Sequence, residues 1–195
     1  MADSRSVPSP RSIDCARRDM LRGAAGLVLA WLTPVRASAQ DAPGPAVGDW
    51  LVRVGDTNLI PLTPDDIPVD GRAVMVWPLS PKGDVLKDGS SLNRIVLARL
   101  NPSGLSDATR ERAADDIVAY SAICTHSGCE VDESVGDNQT IFCSCHSSIF
   151  DPRDSGAVIG GPAPRSLPAL PVKVAADGRL VVAGDFTARP GFSGF

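Results

Sequence analysis

"CTHSGC" at residues 124–129 and "CSCHSS" at residues 143–148 decide how this chain is read. Together they hold four of its five cysteines and both of its histidines. One residue separates Cys124 from His126, two separate Cys143 from His146, and sixteen lie between His126 and Cys143. Each pair sits in a turn rich in small residues, next to a β-like segment. A set of two Cys and two His spaced in this way can surround a metal centre. Structural zinc is one possible occupant, but zinc sites commonly group cysteines with cysteines and histidines with histidines. One cysteine and one histidine per loop suits a two-iron cluster better, with both thiolates on one iron and both imidazoles on the other.

Outward from the two boxes the pattern is that of short strands. "IVAYSAI" (117–123) runs into the first box and "TIFCS" (140–144) into the second. Further strands are expected at residues 50–54, 72–79 and 94–100, where β-branched residues are bounded by Pro, Gly and Asp. "PVKVAADGRLVVAG" (171–184) alternates apolar residues around Asp177-Gly178 and reads as a hairpin. "SDATRERAADD" (106–116) starts on Ser-Asp and continues in helix formers, which predicts one short helix. Trp50, Trp77 and Phe142 are expected in the core, Tyr120 packed in its strand, and "PDDIP" (64–68) in a turn. The expected class is all-β. Seventeen Pro, 18 Gly and few aromatics agree with many short elements joined by turns.

The N-terminus reads as a targeting segment. Residues 1–19 are polar and Arg-rich, an apolar stretch follows, Pro34 stops it, and Ala37 and Ala39 form a small-residue cleavage site before Gln40. Arg17-Arg18 in "ARRDMLRG" resembles a twin-arginine export signal. A general secretory signal with two incidental arginines and a retained anchor are the alternatives. Residues 40–48 ("QDAPGPAVG") read as a linker. Residues 1–39 carry 6 Arg against 3 Asp, so 13 of the 19 basic and 20 of the 23 acidic residues lie beyond them, a net charge of −7 against −4 for the whole chain. Such a chain is a poor binder of nucleic acid or anionic lipid through bulk charge. Membrane association is expected only if the N-terminal segment is kept.

"CTHSGC…CSCHSS" resembles the paired boxes of Rieske iron–sulfur proteins, and "FDPRDSGAVIGGPAPRSLP" resembles that family's proline-rich loop. The resemblance covers residues 117–170 and is weak before residue 90. It implies a Rieske-type antiparallel β sandwich or barrel over residues 49–195, with a small cluster-binding subdomain inserted at about 121–165. It implies a 2Fe–2S cluster held by Cys124 and Cys143 on one iron and His126 and His146 on the other. It implies a disulfide between Cys129 and Cys145, for which a pair of free buried thiols is the alternative. Gly160, Gly161, Pro162, Ala163 and Pro164 would cover the cluster, and the Ser148 hydroxyl would point at a bridging sulfide. Neutral imidazoles in place of two thiolates make the cluster less negative. That moves its potential from about −400 mV into a window of about −150 to +300 mV. Clusters are assembled in the cytoplasm, so a loaded protein would need a route that exports folded cargo. The twin-arginine route is such a route.

The extra cysteine pair places the resemblance in the higher-potential branch, with Rieske subunits of cytochrome bc complexes and many small subunits of arsenite oxidase. Ser127 stands where bc-type members commonly have Leu, Ser144 and Ser147 replace Pro and Gly, and Phe150 replaces a Tyr that donates to a ligand sulfur. The function implied is that of a periplasmic protein passing single electrons to or from a larger oxidoreductase subunit or a c-type cytochrome, without an organic substrate site of its own. The alternatives are the Rieske subunit of a quinol–cytochrome c reductase and, more remotely, a structural zinc domain. Glu130, Asp132, Glu133, Asp137, Asp151 and Asp154 flank the boxes. They could steer a basic electron acceptor or simply form a solvated loop surface.

Overall fold

The computed structural model describes residues 43–69, 72–131 and 139–192, and most of its regular structure is β-strand. Strands β1 (Trp50–Arg53), β2 (Val74–Leu79), β3 (Ile95–Arg99) and β4 (Ile117–Ser121) are followed by β5 (Ile141–Cys143), β6 (Ser148–Asp151) and β7 (Ala157–Gly160), and then by β8 (Val172–Val174) and β9 (Leu180–Val182). Six of them form an antiparallel sheet in the order β4-β3-β2-β1-β9-β8, and the other three form a second sheet, β5-β6-β7. The segment leading into β8 comes back to β4: Ser121 N–H donates to the Pro168 carbonyl (2.8 Å) and Leu170 N–H to the Ala119 carbonyl (2.9 Å). These bonds almost close the larger sheet on itself and pair an edge that would otherwise stay open.

The period-2 geometry of the strands divides most of their side chains between two large cores, with Val52, Trp77 and Leu79 in a third, smaller cluster. Val74, Val76, Ile95, Leu97, Ile117 and Ala119 face one cluster with Leu51, Leu170, Val172, Leu180 and Val182. The intervening Met75, Val96, Ala98, Val118 and Tyr120 face another with Ile141, Phe150, Leu167, Cys124 and Cys143. β3 and β4 are therefore covered on both faces, which is why they read as unbroken apolar runs. Two of the cysteines that carry the sequence argument are rooted in the second core.

The expected helix over 106–116 is confined to α1 (Asp107–Arg110), capped by the Ser106 hydroxyl on Thr109 N–H (3.3 Å). The chain turns at once after it. Ala114 and Ile117 exchange both backbone hydrogen bonds (2.9 Å each), and Asp115 adopts a positive φ of 56°. That turn fixes the start of β4 and overrides the local helical preference. Trp50 and Phe142 are only half-buried, against expectation. On β5 the alternation sends Ile141 and Cys143 inward and Phe142 outward. Trp77 is buried, and Trp50 and Trp77 are each covered by a guanidinium, of Arg179 (4.4 Å) and Arg94 (4.5 Å) respectively. Tyr120 is buried as expected, and its hydroxyl donates to the Pro152 carbonyl (2.7 Å). Burial pushes this phenol far above its ordinary value, so it stays a donor. "PDDIP" begins with a 3-10 turn (Pro64–Asp66). The 171–184 hairpin forms as β8 and β9, with Gly178 at φ +84° in its turn.

Among the described residues no helix is long and apolar enough to cross a membrane. The expected signal at 1–39 and the acids Asp132, Glu133 and Asp137 lie outside the described residues.

Candidate metal centre

Both boxes are hairpin loops, and the sheets explain why. The first leaves the end of β4: Val131 N–H donates to the Ala122 carbonyl (2.8 Å) and Cys124 N–H to the Cys129 carbonyl (2.7 Å). The second is the connection between β5 and β6, where Cys143 pairs with Ser148 across the ladder. The two loops are joined by a disulfide between Cys129 and Cys145, with Cα atoms 6.6 Å apart. A third element covers the second box. Gly161, at φ +78°, lies so close that a Cβ there would stand 2.3 Å from the Ser147 carbonyl oxygen and 2.5 Å from Ser148 Cα. This part of the proline-rich segment follows β7, a strand that the sequence reading did not separate from the loop.

Between the hairpins the remaining candidates come together. Cys124 and Cys143 are free thiols, each 1% exposed. Burial pushes the Cys143 thiol above its ordinary value. The Cys145 backbone opposes that rise, and the adjoining Cys124 side chain adds to it. A Cys143 thiolate in this buried site therefore calls for cationic charge beside it. The rings of His126 and His146 meet edge-on, with centroids 4.6 Å apart. His126 is half-buried and His146 exposed, so the thiol side faces the core and the imidazole side faces solvent. Two polar atoms here are buried without a hydrogen-bond partner: His126 Nδ1 and Ser148 Oγ. Each has a lone pair or proton that needs a partner, and both fit a metal–sulfide group between the loops. The sulfurs of Cys129, Cys143 and Cys145 lie within 4.8 Å of one another, but the disulfide removes the first and third as thiolate donors.

Other expected site residues fall around this centre. Phe150 is 0% exposed and packs in the second core, opposite Ile141 on β5. Pro162 and Pro164 are exposed and Ala163 is buried. Ser127 Oγ lies 3.4 Å from His146 Nδ1. Glu130 is not a free acid, since it pairs with Arg94, the residue stacked on Trp77. Sequence reasoning passed over Thr125. It is fully buried inside the first box, and its hydroxyl donates to the Arg165 carbonyl (2.6 Å), tying the box to the proline-rich segment. A hydroxyl between two candidate ligands was the available signal.

The family model described as "Rieske [2Fe-2S] domain" matches residues 63–171. A Haloferax mediterranei protein, named as the Rieske subunit of a respiratory nitrate reductase, is 35% identical over 85% of this chain and 70% of its own length. A Streptomyces lividans cytochrome bc1 complex Rieske iron–sulfur subunit is 37% identical over 65% of this chain and 75% of its own length. Among solved structures, the cyanobacterial plasma membrane Rieske protein of Synechocystis aligns with a TM-score of 0.41. The match is at 24% identity and covers 63% of this chain and 95% of that one.

Proposed function

Because this chain belongs to the Rieske 2Fe–2S domain family, we propose that Cys124 and Cys143 bind one iron of its cluster and His126 and His146 the other. The observation that carries this assignment is the convergence of two buried free thiols, two abutting imidazoles and two orphaned buried polar atoms between the disulfide-tied hairpins. When bound, the cluster supplies a one-electron couple in a window of about −150 to +300 mV.

The chain's own residues then divide the work. The buried thiol side keeps water from the sulfurs. The imidazole side, with His146 exposed, is where an electron partner comes closest. Ser148 offers its hydroxyl inward, where donation to sulfur favours the more negative, reduced state. The disulfide and Gly161 hold the loops at the spacing that the donor set needs.

The protein is a Rieske electron-transfer subunit whose named relatives belong to larger respiratory complexes. Its proposed place is the periplasm, reached by a twin-arginine signal at 1–39 and a linker at 40–48. The proposed domain covers 49–195, with a cluster-binding subdomain at about 121–165. Its proposed partners are a larger oxidoreductase subunit and a c-type cytochrome. The second reading, a quinol–cytochrome c reductase subunit, is favoured by the likeness to the bc1 subunit. Ser127 at the tip, in place of an apolar residue, favours the first. Isolation of the native complex tests both. A soluble protein beginning at Gln40 supports the relay, whereas a membrane-bound complex oxidising quinol supports the second reading. A colourless zinc protein without iron or sulfide would refute both.

A further inference from the structure

The C-terminal segment packs against Arg165 and beside Ile123, next to the first box, and its described residues include no Cys or His. Thr187 N–H donates to the Ala169 carbonyl and Ala169 N–H to the Thr187 hydroxyl (2.9 Å each). Beyond this anchor, Arg165 Nη2 donates to the Arg189 carbonyl (2.8 Å) and the Gly191 carbonyl (2.5 Å). Gly191, at φ +78°, packs so that an added Cβ would lie 2.9 Å from Leu92 Cδ2 and 3.5 Å from Ile123 Cγ2, the residue before Cys124. The carbonyl of the same Arg165 accepts the buried Thr125 hydroxyl between Cys124 and His126 (2.6 Å). Arg165 thus joins the first box through its backbone to the C-terminal chain through its side chain.

We infer that residues 187–191 act as a strap that positions the first cysteine–histidine box through Arg165. This rests on the proposed ligands, and it assigns Arg165 as a positioning residue. A guanidinium that bridges two carbonyls fixes both the tail and its own backbone. Loosening it frees Thr125 and so the Cys124–His126 segment, while the rest of the two large cores stays intact. The consequence is faster escape of iron, since local opening rather than global unfolding exposes the ligands.

The test uses four forms of the loaded protein: Arg165→Met, Arg165→Lys, a chain ending at Ala188, and Arg165→Met combined with that truncation. Iron release to a chelator, the thermal midpoint and amide exchange at 121–126 are measured for each, with exchange also followed in the cluster-free protein. The Met variant and the truncation should each release iron at least roughly tenfold faster, because each removes both guanidinium–carbonyl hydrogen bonds and the loss of even one such bond is worth about that factor. The double variant should be no faster than either, because both remove one linkage. Arg165→Lys should recover part of the effect. Additive effects, or a lowered thermal midpoint with unchanged release and unchanged exchange, would overturn the inference. If a variant does not load, exchange at 121–126 in its cluster-free form still decides. Failure of the ligand assignment would show separately, as a wild-type signal insensitive to changing His126.

Discussion

Replacing Gly161 by alanine separates two costs that the fold makes measurable. Its φ of +78° strains any side chain, at about 1–2 kcal/mol. The new Cβ would also stand 2.3 Å from the Ser147 carbonyl oxygen and 2.5 Å from Ser148 Cα, both backbone atoms. Reaching ordinary contact requires the proline-rich segment and the second box to separate by about 1 Å, an overpacking that typically costs about 1–3 kcal/mol more. Gly178 provides the control: its φ is +84°, but an added Cβ meets nothing within 4 Å. Gly178→Ala should therefore cost only the strain, about 1–2 kcal/mol, and leave the cluster untouched. Gly161→Ala should cost about 2–5 kcal/mol in urea unfolding of the cluster-free protein. The loaded form should carry less iron per chain and lose it faster. Equal losses of stability in the two variants, with full iron content in both, would refute the claim that Gly161 is required by close approach to the second box.

Other substitutions probe the centre and its supports. His126→Cys and His146→Cys should each lower the midpoint potential strongly or abolish loading; an unchanged redox titration in either would remove that histidine from the ligand set. Ser148→Ala should lower the potential, by about 60 mV if its hydrogen bond is worth 1.4 kcal/mol more in the reduced state, and an unmoved potential would show that the buried hydroxyl does not reach sulfur. Phe150→Tyr should raise the potential, because the added hydroxyl supplies the donor that bc-type members have. No rise would mean that the fully buried ring holds the hydroxyl away from the sulfur. Tyr120→Phe should cost about 1 kcal/mol in thermal or urea unfolding by deleting the bond to the Pro152 carbonyl, with the visible spectrum unchanged.

The candidate centre was legible because its chemistry is concentrated: both histidines and four of the five cysteines lie in two short turns, and the family resemblance those turns carry implied which of them are ligands and which form the disulfide. The strands were legible where alternation or β-branched runs marked them, as in 94–100 and 171–184. The helix at 106–116 was misjudged in length because local preference cannot register the turn that Ala114 and Ile117 impose on the start of β4. β7 was hidden because "AVIG" lies beside a proline-rich segment and pairs with β6 only after the turn at 152–156. The contacts that secure the site were beyond reach for another reason. Thr125 meets Arg165 across 40 positions, and Arg165 meets Gly191 across 26, with no periodic pattern to announce either. The same holds for Glu130, an acid among acids in the sequence, whose charge is taken up by Arg94.

Histidine ligation is the claim on which the proposed site rests, and pulsed electron paramagnetic resonance of the reduced protein measures it directly. Ligation by two histidines predicts couplings from two imidazole nitrogens, with one lost when either His126 or His146 is replaced by cysteine in a variant that still loads. A spectrum without nitrogen coupling, or one that keeps both couplings in such a variant, would contradict it.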